Sequence, residues 1–317
     1  MESIATPDYS IVIPVYKAEG CLEELYRRIA ATMAGAKLSY EVIFVEDCGG
    51  DASWQKIVKI AEKDSAVTGL KLSRNFGQHH AITAGLDAAI GNRVIIMDCD
   101  LQDRPEDIPV LCTKADEGYD VVVACWKARN DQMWKKVLSI GFYKTFSWMS
   151  GYTYDPGTRA FRLLSRKAAE SLKSMREQMR SLAPLNTWIG FDTAAVYLEP
   201  GRRLEGKSSY HPLRLLRLAT TNIVAFSDKP LKFSIWLGFG VSLFAFIYGV
   251  FSWIRAAATG SELSEFSALA ASIYFIGGVL LAFMGVQGVY IARIFDETKR
   301  RPLYIVAKTT KQSSQTA

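Results

Sequence analysis

RVIIMDCDLQD, residues 93–103, is an apolar, β-branched run that breaks directly into carboxylates. A strand covered on both faces reads as such a continuous apolar run, and the carboxyl ends of parallel strands are where α/β sheets bind ligands. Asp98 and Asp100 stand at i and i+2 just past the run, so both can turn toward one divalent ion. Gln102 adds a neutral oxygen two residues on. Oxygen ligands completed by phosphate oxygens are the usual way Mg2+ or Mn2+ is held. A D-x-D alone is a weak signal, since a turn with two solvated acids reads the same way; its place at a strand end gives it weight.

Similar runs lie on either side: Tyr9–Tyr16 (YSIVIPVY), Tyr40–Val45 (YEVIFV), Gly69–Leu72 and Val121–Ala124. Helical patterns separate them at 20–34, 52–64, 78–90 and 105–117. This alternation predicts βαβ units around a mostly parallel sheet. Glu46-Asp47 ends the second run and precedes Cys48-Gly49-Gly50-Asp51. A carboxylate there can accept hydrogen bonds from a nucleobase or ribose, and the glycines let the chain turn and approach a ligand closely. Asp51 also reads as an N-cap for a helix starting near Ala52. No GxGxxG and no Walker lysine motif is present, which argues against a dinucleotide or P-loop site. Asp155–Arg162 (DPGTRAFR) reads as a loop entering a helical stretch. Its aspartate could serve as a general base, orient an acceptor, or cap a turn. His79-His80 has no third ligand at metal spacing and reads as a structural or surface pair.

Composition narrows the class. The 317 residues are 49% hydrophobic and 22% charged, which excludes disordered and collagen-like chains. The five cysteines (Cys21, Cys48, Cys99, Cys112, Cys125) form no CxxC pair, so neither a disulfide framework nor a zinc site is expected. A reduced, cytosolic setting follows. Met1–Ser10 shows no basic-then-apolar pattern, so no secretory leader is expected.

Two uncharged stretches, 233–254 and 266–292, are each long enough to cross roughly 30 Å of hydrocarbon. Trp236, Tyr248, Trp253 and Tyr290 lie near their ends, as interfacial aromatics do. Arg202, Arg203 and Lys207 lead toward the first stretch, and Lys299, Arg300 and Arg301 follow the second. This positive-inside bias places both termini and the large domain in the cytoplasm, in a multi-pass inner-membrane protein. The net charge of +6 is then a membrane-surface feature rather than a nucleic-acid stripe. Residues 211–226 suit an amphipathic helix, either in the headgroup plane or packed on the domain. The expected organisation is a domain over 1–210, a juxtamembrane region over 211–232, two spans within 233–292 and a tail over 293–317. The tail from Lys308 is expected to be disordered.

The residues together resemble family-two glycosyltransferases of the GT-A fold, in particular the membrane-bound polyprenyl-phosphate glycosyltransferases, which include bactoprenol glucosyltransferases and dolichyl-phosphate mannose synthases. The resemblance runs through SIVIPVY (10–16), EVIFVED (41–47), LSRNFGQ (72–78), MDCDLQDRPE (97–106), DPGTRAFRLLSR (155–166) and RIFDETKRRPLYIV (293–306). It implies an α/β GT-A catalytic domain followed by a two-helix membrane hairpin. It also implies an inverting, metal-dependent enzyme that moves a sugar from a nucleoside-diphosphate sugar to a polyprenyl phosphate, undecaprenyl phosphate by preference, for cell-envelope glycans.

By position, the resemblance implies that Pro14, Tyr16, Val45 and Asp47 line the nucleotide pocket and that Asp98, Asp100 and Arg203 contact the donor. Asp98, Asp100 and Gln102 would hold Mg2+ or Mn2+, and Asp155 and Asp100 would carry catalysis, Asp155 beside the acceptor. Arg129, Arg159 and Lys207 would meet donor or lipid phosphates. Three departures stand out: Glu46 replaces the first of a usual aspartate pair, Trp126 stands where an arginine is common, and Ser209 takes a usual lysine position. Such enzymes can be tetramers, and Gly277, Gly278, Gly285 and Gly288 would permit close helix contact. A processive polymer-forming transferase would need a Q-x-x-R-W motif, which the chain lacks. A nucleotide-binding anchor or assembly subunit without catalysis is the other alternative, opposed by the intact Asp98, Asp100 and Asp155.

Overall fold

The computed structural model describes residues 6–126, 157–199, 201, 227–259 and 265–311. They fall into two units, the first made of the described residues up to 201 together with 301–311, the second of 227–300.

The first unit is built on an eight-stranded sheet. In chain order its elements are β1 (Tyr9–Val15), α1 (Leu22–Ala36), β2 (Tyr40–Glu46), α2 (Ser53–Lys63), β3 (Val67–Leu72), α3 (Gln78–Ala88) and β4 (Arg93–Ile96). A 3-10 turn (Pro105–Asp107) leads into α4 (Ile108–Asp116), then β5 (Val121–Trp126), β6 (Thr158–Ser165), α5 (Arg166–Ser174), α6 (Leu182–Ile189), β7 (Thr193–Leu198) and finally β8 (Val306–Thr309). The strand order is β7-β5-β6-β4-β1-β2-β3-β8. Strands β1, β2, β3 and β4 run parallel, so the turns after them open on one edge.

The sequence pattern explains this half directly. Every residue of β1 is buried, as a strand covered on both faces requires. Helix α1 buries Leu22, Leu25, Ile29 and Met33, which is helical spacing on one face. These side chains join Ile11, Ile13 and Phe44 in the core.

Two expectations are corrected. The stretch expected to pass from loop to helix at 155–162 is instead a strand from Thr158, inserted antiparallel between β4 and β5. Phe161, Leu163 and Leu164 are buried there, and the helix starts only at Arg166, where the Ser165 hydroxyl accepts the Ala168 N–H at 3.3 Å. The second correction is the tail. Lys308 lies in β8, which pairs antiparallel with β3. All four residues of β8 are exposed, so no apolar period marks it. What fixes it is the open backbone edge of β3: Gly69 and Thr310 exchange two hydrogen bonds, at 2.8 and 3.0 Å.

The second unit holds α7 (Lys229–Thr259) and α8 (Glu265–Thr298), longer than the spans read from charge alone. Their apolar windows, Lys229–Phe251 and Ser272–Thr298, are 6% and 0% buried, so neither is the core helix of a soluble domain. Both are long and apolar enough to cross a membrane. The proposed surface helix at 211–226 lies outside the described residues.

Candidate active site

The carboxyl edge of the parallel strands gathers most of the described candidates. Asp47 follows β2 and is 2% exposed. Its Oδ1 accepts the Phe76 N–H at 2.7 Å and its Oδ2 the Gly77 N–H at 2.8 Å. Burial pushes its carboxyl upward while the two backbone donors pull it down. The loop after β3 is thereby strapped across the end of β2. Glu46 turns the other way and accepts the Gly49 N–H at 2.6 Å. A Cβ on Gly49 would stand 2.7 Å from the Lys17 nitrogen, so only glycine lets these two turns approach. Pro14 and Val45 are partners in the β1–β2 register and are both buried, whereas Tyr16 is 48% exposed at the mouth. Asp51 meets its capping role in part, accepting the Ser53 hydroxyl at 2.8 Å and its N–H at 3.3 Å.

The D-x-D follows β4. Asp98 Oδ1 accepts Gln78 Nε2 at 2.7 Å, and its N–H donates to Asp103 Oδ2 at 2.9 Å. Asp100 Oδ1 accepts the Gln102 N–H at 3.1 Å. The turn between them forces Leu101 to φ +62°, a left-handed conformation that its full burial holds in place. Burial, then repulsion from Asp100, pushes the Asp98 carboxyl up to about 6. Burial and the nearby Asp98 push Asp103 up to about 8.

Strand β6 brings the opposing charge. Arg162 is buried, its Nε donating to Ala160 O at 3.0 Å and its Nη2 to Arg159 O at 2.7 Å. Its Nη1 has no partner, and burial lowers its guanidinium to about 10. Both Arg159 and Arg162 counter the upward push on Asp98. The Arg159 guanidinium stacks 3.7 Å from the Trp126 ring centroid, at the carboxyl end of β5. A cation therefore stands at that strand end although position 126 itself is a tryptophan.

Asp98, Asp100 and Gln102 are thus brought onto one turn, with Arg159 supplied by the strand beside it. Asp155, Arg129, Arg203 and Lys207 lie outside the described residues. One residue went unread in the sequence. Gly201 donates its N–H to Gln102 O at 2.9 Å, and a Cβ there would stand 2.3 Å from Leu101 O. Only its neighbourhood to Arg203 could have flagged it. His79, read as half of a structural or surface pair, has its imidazole lowered to about 4 by burial, with the charges of Arg162, His80 and Arg180 acting in the same direction.

The donor set suits a hard divalent cation: two carboxylates and an amide oxygen on one turn, with a mutual repulsion that a cation relieves. Among the described residues no group of three or more His, Cys, Asp and Glu side chains forms a cage, so phosphate oxygens would complete the shell.

The family model "Glycosyl transferase family 2" matches residues 10–178, which include β1 to β6 and the D-x-D turn. The chain belongs to that family. The glycosyltransferase is 33% identical to the prophage bactoprenol glucosyl transferase homolog of Escherichia coli K12, over 95% of this chain and 99% of that one. It is 34% identical to the bactoprenol glucosyl transferase of Shigella phage SfV, over 96% and 99%. An uncharacterized glycosyltransferase of Bacillus subtilis, YkcC, is 37% identical over 95% and 94%. Among solved structures, the mannosyltransferase PcManGT of Pyrobaculum calidifontis, in complex with GDP-Man and Mn2+, aligns with a TM-score of 0.50 at 18% identity, over 92% of this chain and 85% of that one. At that identity the likeness is one of fold. The GT-A architecture expected from the motifs is therefore the fold of this enzyme.

Proposed function

We propose that the glycosyltransferase moves a hexosyl group from a nucleoside-diphosphate sugar to a polyprenyl phosphate, undecaprenyl phosphate by preference, at the cytoplasmic face of the membrane. One observation carries the reading: at the carboxyl edge of the parallel strands, the D-x-D turn holds Asp98 within charge range of Arg159 and Arg162, in a chain that also has two apolar helices. Relatives named bactoprenol glucosyl transferases, matched over nearly their full length, support the choice of acceptor.

The acceptor phosphate is already ionised at neutral pH, so no strong base is needed. One of its oxygens attacks the anomeric carbon from the face opposite the leaving group. The new bond joins that oxygen to the carbon, the bond from the carbon to the diphosphate oxygen breaks, and the product is inverted. The nucleoside diphosphate departs with the electron pair. Asp98, Asp100 and Gln102 would hold a divalent cation, which would offset charge on that diphosphate. Asp155 orients the acceptor rather than removing a proton. Arg159, together with Arg129, Arg203 and Lys207, offsets repulsion between two anionic substrates. Asp47 holds the loop that borders the nucleotide, and Tyr16 stands at its mouth. The apolar helices tether the enzyme to the surface that carries the acceptor, which raises its effective concentration.

The test uses purified full-length protein in detergent with undecaprenyl phosphate, Mn2+ or Mg2+, and a panel of nucleotide-sugars. Mass spectrometry should find one glycosylated lipid, lost with chelator and in Asp100→Ala. Nucleotide binding without any glycosylated lipid would overturn the reading.

A further inference from the structure

His80 is the third residue of α3 and plays no part in the reaction described above. Its Nδ1 lies 2.8 Å from Phe76 O and its Nε2 3.2 Å from Gln178 O. Both partners are carbonyl oxygens, which only accept. A neutral imidazole has one N–H and one lone pair, so it can satisfy one of them; an imidazolium satisfies both.

The two carbonyls belong to different parts of the unit. Phe76 sits in the loop after β3, and its own N–H donates to Asp47. Gln178 sits between α5 and α6, and its side chain donates to Arg301 O at 2.7 Å. Arg301 begins the segment that continues from α8 into β8. The same segment donates Tyr304 OH to Asp87 Oδ2 at 2.6 Å, and Ile305 O accepts the Ser73 N–H at 2.9 Å. Asp87 is in turn held by both terminal nitrogens of Arg176, at 2.8 Å each. A continuous run of hydrogen bonds therefore joins Arg301 to Asp47 through Gln178, His80 and Phe76.

We propose that His80 is a positioning residue for the donor pocket: as an imidazolium it clamps the Phe76 and Gln178 carbonyls, joining the segment that returns from α8 to the loop held by Asp47. The donor role rests on the nucleotide-sugar reading above, whereas the clamp does not. Asp47 is the anion beside His80. His79 on the same helix is a like-signed neighbour when charged, and Arg180 acts on it from the 175–181 loop. Arg74 is occupied over the Phe76 ring, and Arg176 and Asp87 neutralise each other. An imidazole with a single N–H would keep the shorter Phe76 contact and lose the longer one to Gln178, and the loop would loosen.

The chain has three histidines, so full-length protein labelled with 15N-histidine gives a small set of ring signals. His80→Gln assigns its own pair by their loss. Both His80 nitrogens should resonate as protonated at neutral pH; a bare nitrogen there would overturn the clamp. In the transfer assay, His80→Gln should raise the donor KM about tenfold with kcat within about twofold. Gln178→Ala, which removes the side-chain contact to Arg301 and leaves the carbonyl that faces His80, should raise donor KM about threefold and serves if His80→Gln does not fold. An equal fall in kcat, or an unchanged KM in both variants, would sink the positioning role. If no donor is turned over at all, the transfer reading fails with the donor role, and the ring nitrogens still decide the clamp.

Discussion

At the β2 end of the sheet, Asp47 has both carboxylate oxygens on backbone N–H groups of the loop that follows β3. At the β4 end, burial and neighbouring acids push the Asp98 and Asp103 carboxyls upward, and Arg162 keeps an N–H with no partner. The first end is satisfied by the fold itself, so its side chains set shape. The second holds buried charge of both signs that the fold satisfies only in part. Buried polar groups without partners are costly, and such clusters persist where a ligand completes them. The carboxyl edge of the sheet thus has a finished end at β2 and an electrostatically open one at β4.

The largest test of that contrast removes one carboxylate from each end. Asp100→Asn should cut kcat about 10³-fold, because it removes charge at the open end. Asp47→Asn should instead lower Tm and raise donor KM, since its amide nitrogen meets one of two backbone donors, a clash of about 1–3 kcal/mol. If Asp47→Asn matched Asp100→Asn in kcat with donor KM unchanged, the two ends would not differ in kind.

A smaller effect is expected at Gly201. A methyl group there meets Leu101 O at 2.3 Å, a backbone atom that cannot swing aside. Gly201→Ala should displace the D-x-D turn and cost about 1–3 kcal/mol of stability. Transfer should fall about tenfold, with metal affinity reduced in step. Normal metal affinity would mean that the turn absorbs the shift.

Arg162 permits a subtler comparison. It lowers the Asp98 carboxyl by charge, so Arg162→Met should move Asp98 above its value of about 6. Divalent-cation binding needs the ionised form, so its acid limb should shift to higher pH in Arg162→Met and stay nearer wild type in Arg162→Lys. Titration of Mn2+ affinity against pH checks this. Coincident limbs in all three proteins would remove Arg162 from the electrostatics of the site.

The contrast also explains what the sequence could reveal. Strands β1 to β5 are legible because each is an apolar run bounded by turn residues, and the D-x-D is legible because it breaks such a run. The strand β6 is not, because Arg159 and Arg162 interrupt its apolar residues. The exposed β8 carries no pattern, since its partner is the backbone edge of β3. Gly201 and His79 act through close approach and enclosure, which involve residues distant in the chain. Trp126 reads as a lost cation until β6 places Arg159 over its ring.

His79 sits where the two ends meet, since its helix begins at the loop held by Asp47 while its ring senses Arg162. Its Nδ1 has no partner, and its folded value of about 4 lies below the ordinary 6.5. The sign follows from linkage: between those values the unfolded chain binds a proton that the folded one refuses. Stability from this group is therefore complete above about pH 6.5 and is lost as pH falls toward about 4. His79→Leu removes both the refused proton and the orphaned nitrogen. Its Tm should stay within a few degrees of wild type at neutral pH, and the difference should move in the variant's favour on acidification. Thermal unfolding at several pH values in that window checks it. Parallel curves would mean that His79 charges freely in the folded enzyme, and the boundary between the finished and the open end would then lie elsewhere.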